Sequence, residues 1–176
     1  MRRPTVAALL ACLLAACTSM PAEMPANDLA FVIVRHAEKA TDAGDDPSLT
    51  DAGRARATAL ARALADAPVV AVYSTAYART QETAAPTASA HALPVTTYDA
   101  REPADALATR LLVAHDAGTV LVVGHSNTVP AIATALCGCA VPAMEETEYD
   151  RQLIVTFDAD GNATLATGRL SAADTP

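Results

Sequence analysis

Tryptophan is absent from this 176-residue chain, and four tyrosines and two phenylalanines supply all its phenyl and phenol rings. So few rings exclude an aromatic platform for stacking bases or sugars. Positive charge is also scarce, with twelve Lys and Arg against twenty Asp and Glu. A surface this acidic repels nucleic acid and anionic lipid, and nucleic acid is not an expected partner. The apolar run Val6 to Ala16 is too short to cross a bilayer as a helix. Only four cysteines are present.

What is there begins with a leader. Arg2 and Arg3 precede that apolar run, the pattern of a signal peptide over residues 1–16. Leu14-Ala15-Ala16-Cys17 resembles the bacterial lipobox, in which the Cys is lipidated and becomes the first mature residue. Ordinary cleavage near Ala16 is the other reading, and the small residues directly before Cys17 favour lipidation. Acyl chains on Cys17 would anchor the protein to a membrane and place it in the bacterial envelope, facing the periplasm. Residues 17–29, with Pro, Ser, Glu and Asn and no periodicity, read as a tether. Residues 30–176 are long enough for one domain and too short for two. Losing Arg2 and Arg3 leaves ten basic side chains against twenty acidic ones, so any anionic ligand needs a local basic pocket. Cys137 and Cys139 allow a tight disulfide, a weak metal site without nearby partners, or two small packed residues.

Continuous apolar runs at Phe31–Val34, Val69–Val72 and Val120–Val123 suit strands buried on both faces of a parallel sheet. Helical stretches lie between them: Asp51 to Ala65 with Thr50 as N-cap, Tyr77 to about Ala90 bent at Pro86, and Pro103 to His115 with Leu107 and Leu111 aligned. Leu153–Phe157 and Ala163–Thr167 flank a turn-rich Asp158–Asn162 and read as a hairpin. The expected fold is a three-layer α/β/α sandwich with a mostly parallel sheet and an antiparallel C-terminal edge.

Ligands of parallel sheets bind beyond the carboxyl ends of the strands. Three such ends carry chemistry: Arg35-His36-Ala37-Glu38-Lys39, then Tyr73-Ser74-Thr75 with Arg79 one turn on, then Gly124-His125-Ser126-Asn127. Two imidazoles between two guanidiniums suit a cation poorly, because the arginines repel it and no carboxylate or thiolate completes a ligand set. They suit phosphate well. Arg35 and Arg79 would grip its oxygens, one His would attack phosphorus, and the other would stabilise the transition state. The flanking guanidinium charge is expected to keep the attacking His neutral. Ser126 and Asn127 could add hydroxyl, amide or backbone N–H donors, and the helix starting near Thr128 would turn its N-terminal N–H groups to the anion.

RHAEK, STAYARTQETA, GHSNT and LTDAGRARATALA together resemble the histidine phosphatase superfamily, of phosphoglycerate-mutase-like fold, from Phe31 to about Phe157. The resemblance implies Arg35 and Arg79 as phosphate-binding arginines, His36 as nucleophile and His125 as second catalytic His. Ala37 departs from the family's usual Gly at that position. The resemblance also implies a leaving-group acid after the third strand, for which Glu102 is the candidate, with Glu38 and Asp99 as alternatives and an N-cap as Glu102's duller role. Short phosphohistidine phosphatases resembling this chain lack a dedicated acid. Lys39 and the loop Thr41–Ser48 border the rim and could select substrate, while His91 and His115 read as surface histidines.

The expected activity is a metal-independent, cofactor-free phosphomonoester hydrolase with a phosphohistidine intermediate, acting on a small-molecule or envelope-sugar phosphate. A non-catalytic phosphate-binding lipoprotein and a phosphoglycerate-mutase-type phosphotransferase are the alternatives, and export disfavours the second. A serine hydrolase is excluded, since no His follows Ser126 to complete that order.

Overall fold

The computed structural model describes residues 28–41 and 44–170. The signal peptide, Cys17 and most of the tether lie outside them. The elements in chain order are β1 (Leu29–Arg35), α1 (Asp51–Ala63), β2 (Val69–Thr75), α2 (Ala78–Ala90), β3 (Val95–Tyr98), α3 (Ala104–Ala114), β4 (Gly118–Gly124), α4 (Val129–Cys137), β5 (Arg151–Phe157) and β6 (Ala163–Arg169). The sheet order is β3-β2-β4-β1-β5-β6. β3, β2, β4 and β1 run parallel, and β5 and β6 add antiparallel strands beyond β1. This is the expected α/β sandwich. One boundary moves: Leu29, placed at the end of the tether, is the first residue of β1, and Asp28 already accepts a bond from the Gly118 N–H.

Every residue of β1 and β4 is buried, as their unbroken apolar runs require. Strand alternation sends Phe31, Ile33, Val120 and Val122 into one core with α3 and α4 residues Leu107, Leu111 and Ile132. Val32, Val34, Leu121 and Val123 enter the other core with Leu60 and Leu64, and with Ala84 and Ala88 of α2. Val70 stays 44 % exposed at the irregularity in the β2–β4 register, which passes from Val69 to Ala71.

Local signals set the helix ends. The Thr50 hydroxyl accepts the Gly53 N–H at 3.1 Å and caps α1. A Cβ at Gly53 would fall 2.2 Å from the Glu38 carbonyl, so only glycine lets α1 lie against the chain leaving β1. Pro86 sits inside α2 without ending it. Gly138, in the left-handed region at φ 63°, ends α4 between Cys137 and Cys139, which are joined by a disulfide. Among the described residues no helix is long and apolar enough to cross a membrane.

Candidate active site

Parallel register brings the two rim histidines together. Arg35 of β1 pairs with Gly124 of β4, so His36 and His125 are the first residues beyond the two strand ends. The His36 N–H extends the ladder by donating to the Gly124 carbonyl at 2.9 Å. The imidazole centroids lie 5.4 Å apart. A side chain at Gly124 would have no room, since its Cβ would sit 2.8 Å from the Thr128 hydroxyl and 2.9 Å from the Tyr98 hydroxyl.

The cleft over these residues has a volume of about 360 Å³ and is lined by Arg35, His36, Lys39, Tyr77, Arg79, Ala100, Arg101, His125, Ser126, Asn127, Thr128 and Glu146. Arg35, His36, Arg79, His125, Ser126 and Asn127 thus share one space, with Lys39 at its border. Glu102 does not join them. Its carboxylate is held by Arg110 at 2.7 Å, on the first turns of α3. Neither alternative acid lines the cleft: Glu38 grips Arg56 at 2.6 Å, and Asp99 pairs with Arg101 at 3.2 Å.

His36 is 3 % exposed, and its Nδ1 lies 2.8 Å from the Ala37 carbonyl. A carbonyl only accepts, so Nδ1 carries the proton and Nε2 of the neutral ring is left with a bare lone pair. The His36 pKa falls to about 4, chiefly through burial and then through the charges of Arg35, His125 and Arg79, opposed by the Ala37 bond. Burial, rather than the guanidinium charge expected from sequence, is the larger cause. His125 also falls to about 4, by burial first and by Arg79 and Arg35 next. Its Nε2 contacts the Thr75 hydroxyl at 3.1 Å, and Thr75 contacts Thr80 at 2.8 Å.

The guanidiniums are backed by rings. Arg35 lies 4.3 Å from the centre of Tyr149, and Arg79 lies 4.4 Å from the centre of Tyr77. Asp46, in the loop before α1, stands 3.6 Å from Arg79 and accepts the Ala78 N–H at 2.9 Å. The Nε atoms of both arginines are buried with no protein partner. Unpaired buried donors at both guanidiniums fit an oxyanion that would complete them.

Two expectations change. The N–H groups of Thr128 and Val129 do not face the cleft, because both donate to the His125 carbonyl, at 3.0 and 2.9 Å. His91 and His115 are half-buried cross-links rather than free surface groups: His91 contacts the Leu64 carbonyl at 3.0 Å, and His115 contacts the Tyr73 hydroxyl at 2.9 Å. Sequence reasoning missed Glu146 and Tyr149. Both lie between α4 and β5, where Glu145-Glu146-Thr147-Glu148 offers a run of acids but no spacing that marks one of them.

Residues 31–102 match the family model of the histidine phosphatase superfamily (branch 1). That stretch holds RHAEK and STAYARTQETA, so the resemblance read from those residues is matched by the family model there. Solved structures share the fold. The protein histidine phosphatase SixA complexed with tungstate is 23 % identical, with a TM-score of 0.67 over 80 % of this chain and 96 % of that one. A mycobacterial glucosyl-3-phosphoglycerate phosphatase in complex with VO3 is 17 % identical, with a TM-score of 0.63 over 81 % and 99 %. A putative alpha-ribazole-5'-P phosphatase from Escherichia coli is 16 % identical, with a TM-score of 0.64 over 80 % and 96 %. No curated protein matches the chain.

Proposed function

We propose that this chain hydrolyses phosphomonoesters through a phosphohistidine at His36, without a metal. The observation that carries the reading is the tied Nδ1 of His36, which leaves Nε2 as a neutral nucleophile between Arg35, Arg79 and His125. Arg35 and Arg79 bind the phosphoryl oxygens, Nε2 attacks phosphorus, and the ester oxygen leaves with its electron pair. His125 stabilises charge on the transferring group. Water then attacks the phosphohistidine, phosphate departs and His36 returns to its neutral form. With Glu102, Glu38 and Asp99 all outside the cleft lining, none of them reaches the leaving oxygen, which takes its proton from solvent.

Two guanidiniums on the cleft repel a cation, which supports the metal-independent reading. The substrate is a small-molecule or envelope-sugar phosphate, in keeping with a cleft of about 360 Å³. We place the enzyme in the bacterial envelope, anchored through Cys17; Cys17→Ala should release it to the soluble fraction, and unchanged membrane association would remove that assignment. The activity is tested by hydrolysis of p-nitrophenyl phosphate with and without EDTA, with acid-labile phosphate measured after quench. EDTA-resistant turnover lost in His36→Ala is expected, and chelator-sensitive turnover would overturn the mechanism.

A further inference from the structure

Glu146 reaches the cleft from the segment between α4 and β5 and takes hold of the donors an oxyanion needs. Its carboxylate accepts from Arg35 Nη2 at 2.8 Å and from the Ser126 hydroxyl. Its backbone carbonyl accepts from Arg35 Nη1 at 2.6 Å, and the Glu145 carbonyl accepts from the same nitrogen at 3.3 Å. Nη1 is thus committed to backbone. The Nε and Nη2 edge remains, with Nε buried and unpartnered and Nη2 occupied by a side chain that is 78 % exposed. That edge presents two parallel N–H donors, the fork that fits two oxygens of one phosphoryl group.

The Ser126 hydroxyl has one proton and gives it to Glu146, and a phosphoryl oxygen arriving at Nη2 would stand beside a second anion, so the oxyanion and the Glu146 carboxylate compete for this corner of the cleft. The carboxylate can leave by rotating its own side chain into solvent. The loop need not move, since the carbonyls of Glu145 and Glu146 hold it to Arg35. We propose that Glu146 is a specificity-determining residue, a resident carboxylate on the phosphate edge of Arg35 that an incoming oxyanion must displace. The proposal rests on the cleft being a phosphate site and deepens that reading. A phosphoryl dianion has the charge to expel a monoanionic carboxylate, whereas a carboxylate ligand has no advantage over it. Glu146 therefore selects by ligand charge and hastens the departure of phosphate.

Among the described residues Glu146 is also the only carboxylate lining the cleft, so it competes for the role of leaving-group acid. The Ser126 bond and the Arg35 charge hold its carboxyl below the usual range, which makes it a poor proton donor near neutrality.

The test is calorimetric titration of the whole protein and of Glu146→Gln with inorganic phosphate and with acetate at pH 7, beside steady-state hydrolysis of p-nitrophenyl phosphate. Gln keeps the shape and removes the charge. The variant should bind phosphate about tenfold more tightly, lower KM in parallel, and gain measurable acetate binding. Unchanged or weaker phosphate binding by a variant of unaltered melting temperature would overturn the proposal. So would a fall in kcat at unchanged phosphate affinity, which would reassign Glu146 to proton transfer. Should the Gln variant not fold, Glu146→Ala is expected to shift phosphate affinity in the same direction. Tighter phosphate binding without turnover in either protein would refute hydrolysis and support the Glu146 assignment. No phosphate binding in either would refute both.

Discussion

Strands β1 and β4 are buried along their whole length, whereas β6 alternates between half-buried and exposed residues. The parallel strands and the segment that leads into the β5–β6 hairpin both reach the cleft and contribute differently to it. The parallel strands end in His36 and His125, whose positions follow from backbone pairing deep in the sheet. The segment before β5 contributes Glu146, a carboxylate that is largely in solvent although its backbone is tied to Arg35. On the proposed reading, the groups that react are held by the buried strands, and the group that competes for the ligand comes from the exposed segment. Such a division fits the demands of each task, since attack needs fixed geometry and selection needs a side chain able to leave.

The largest way to break this comparison is at the rigid side. His36→Ala should lower p-nitrophenyl phosphate turnover by roughly a thousandfold or more, with no acid-labile phosphate after quench. Residual turnover within tenfold of wild type would move the nucleophile elsewhere. His125→Ala should lower kcat by about a hundredfold to a thousandfold while phosphohistidine remains detectable, as expected for lost charge stabilisation. Stability should show the same asymmetry. Ile33→Ala, at a fully buried position of β1, should cost about 3 kcal/mol in urea unfolding, and Leu165→Ala in β6 about 1 kcal/mol. Equal losses would mean that the hairpin is as much a part of the core as the parallel strands.

Acid should weaken the site from the rigid side as well. His36 and His125 are protonated near pH 4 in the folded protein and near their ordinary 6.5 when unfolded. Between those values the unfolded chain binds more protons, so stability is flat above about pH 6.5 and declines as pH falls toward 4. Urea midpoints at pH 7 and pH 5 measure this, and His36→Ala should lessen the decline; a higher midpoint at pH 5 would contradict the buried, neutral rings. Saturating phosphate should oppose the decline, because a bound anion favours both imidazolium forms. The smallest effect is expected at Glu102→Gln, which should change kcat/KM by less than about twofold because that carboxylate serves Arg110 rather than the cleft. A hundredfold loss there would bring back Glu102 as the leaving-group acid.

Much of this was legible before any coordinates. Apolar runs without polar breaks marked β1, β2 and β4, and the residues that follow them, Arg35-His36, Ser74-Thr75 and Gly124-His125, had to emerge at one edge of a parallel sheet. The cap at Thr50 and the hairpin around Asp158–Asn162 were legible for the same reason, since each is specified by neighbours in the chain. Glu102, Glu38 and Asp99 were each chemically able to be an acid, and their nearness to a strand end did not reveal that they pair with Arg110, Arg56 and Arg101 outside the cleft lining.

The sequence by itself determined the layered α/β class, the strands β1, β2 and β4 with the helices between them, and which residues lie at their ends, because burial pattern and strand direction are local properties. Only the tertiary structure decided that the Ala37 carbonyl orients the His36 ring, that His125 leans on Thr75, and that Glu146 and Tyr149 bear on Arg35. The Arg35 contacts join residues more than a hundred positions apart, and no local periodicity encodes where a loop of that kind will land. Its position is set by how β5 pairs with β1, by the Arg35 guanidinium that holds its carbonyls, and by the charge it meets on arrival.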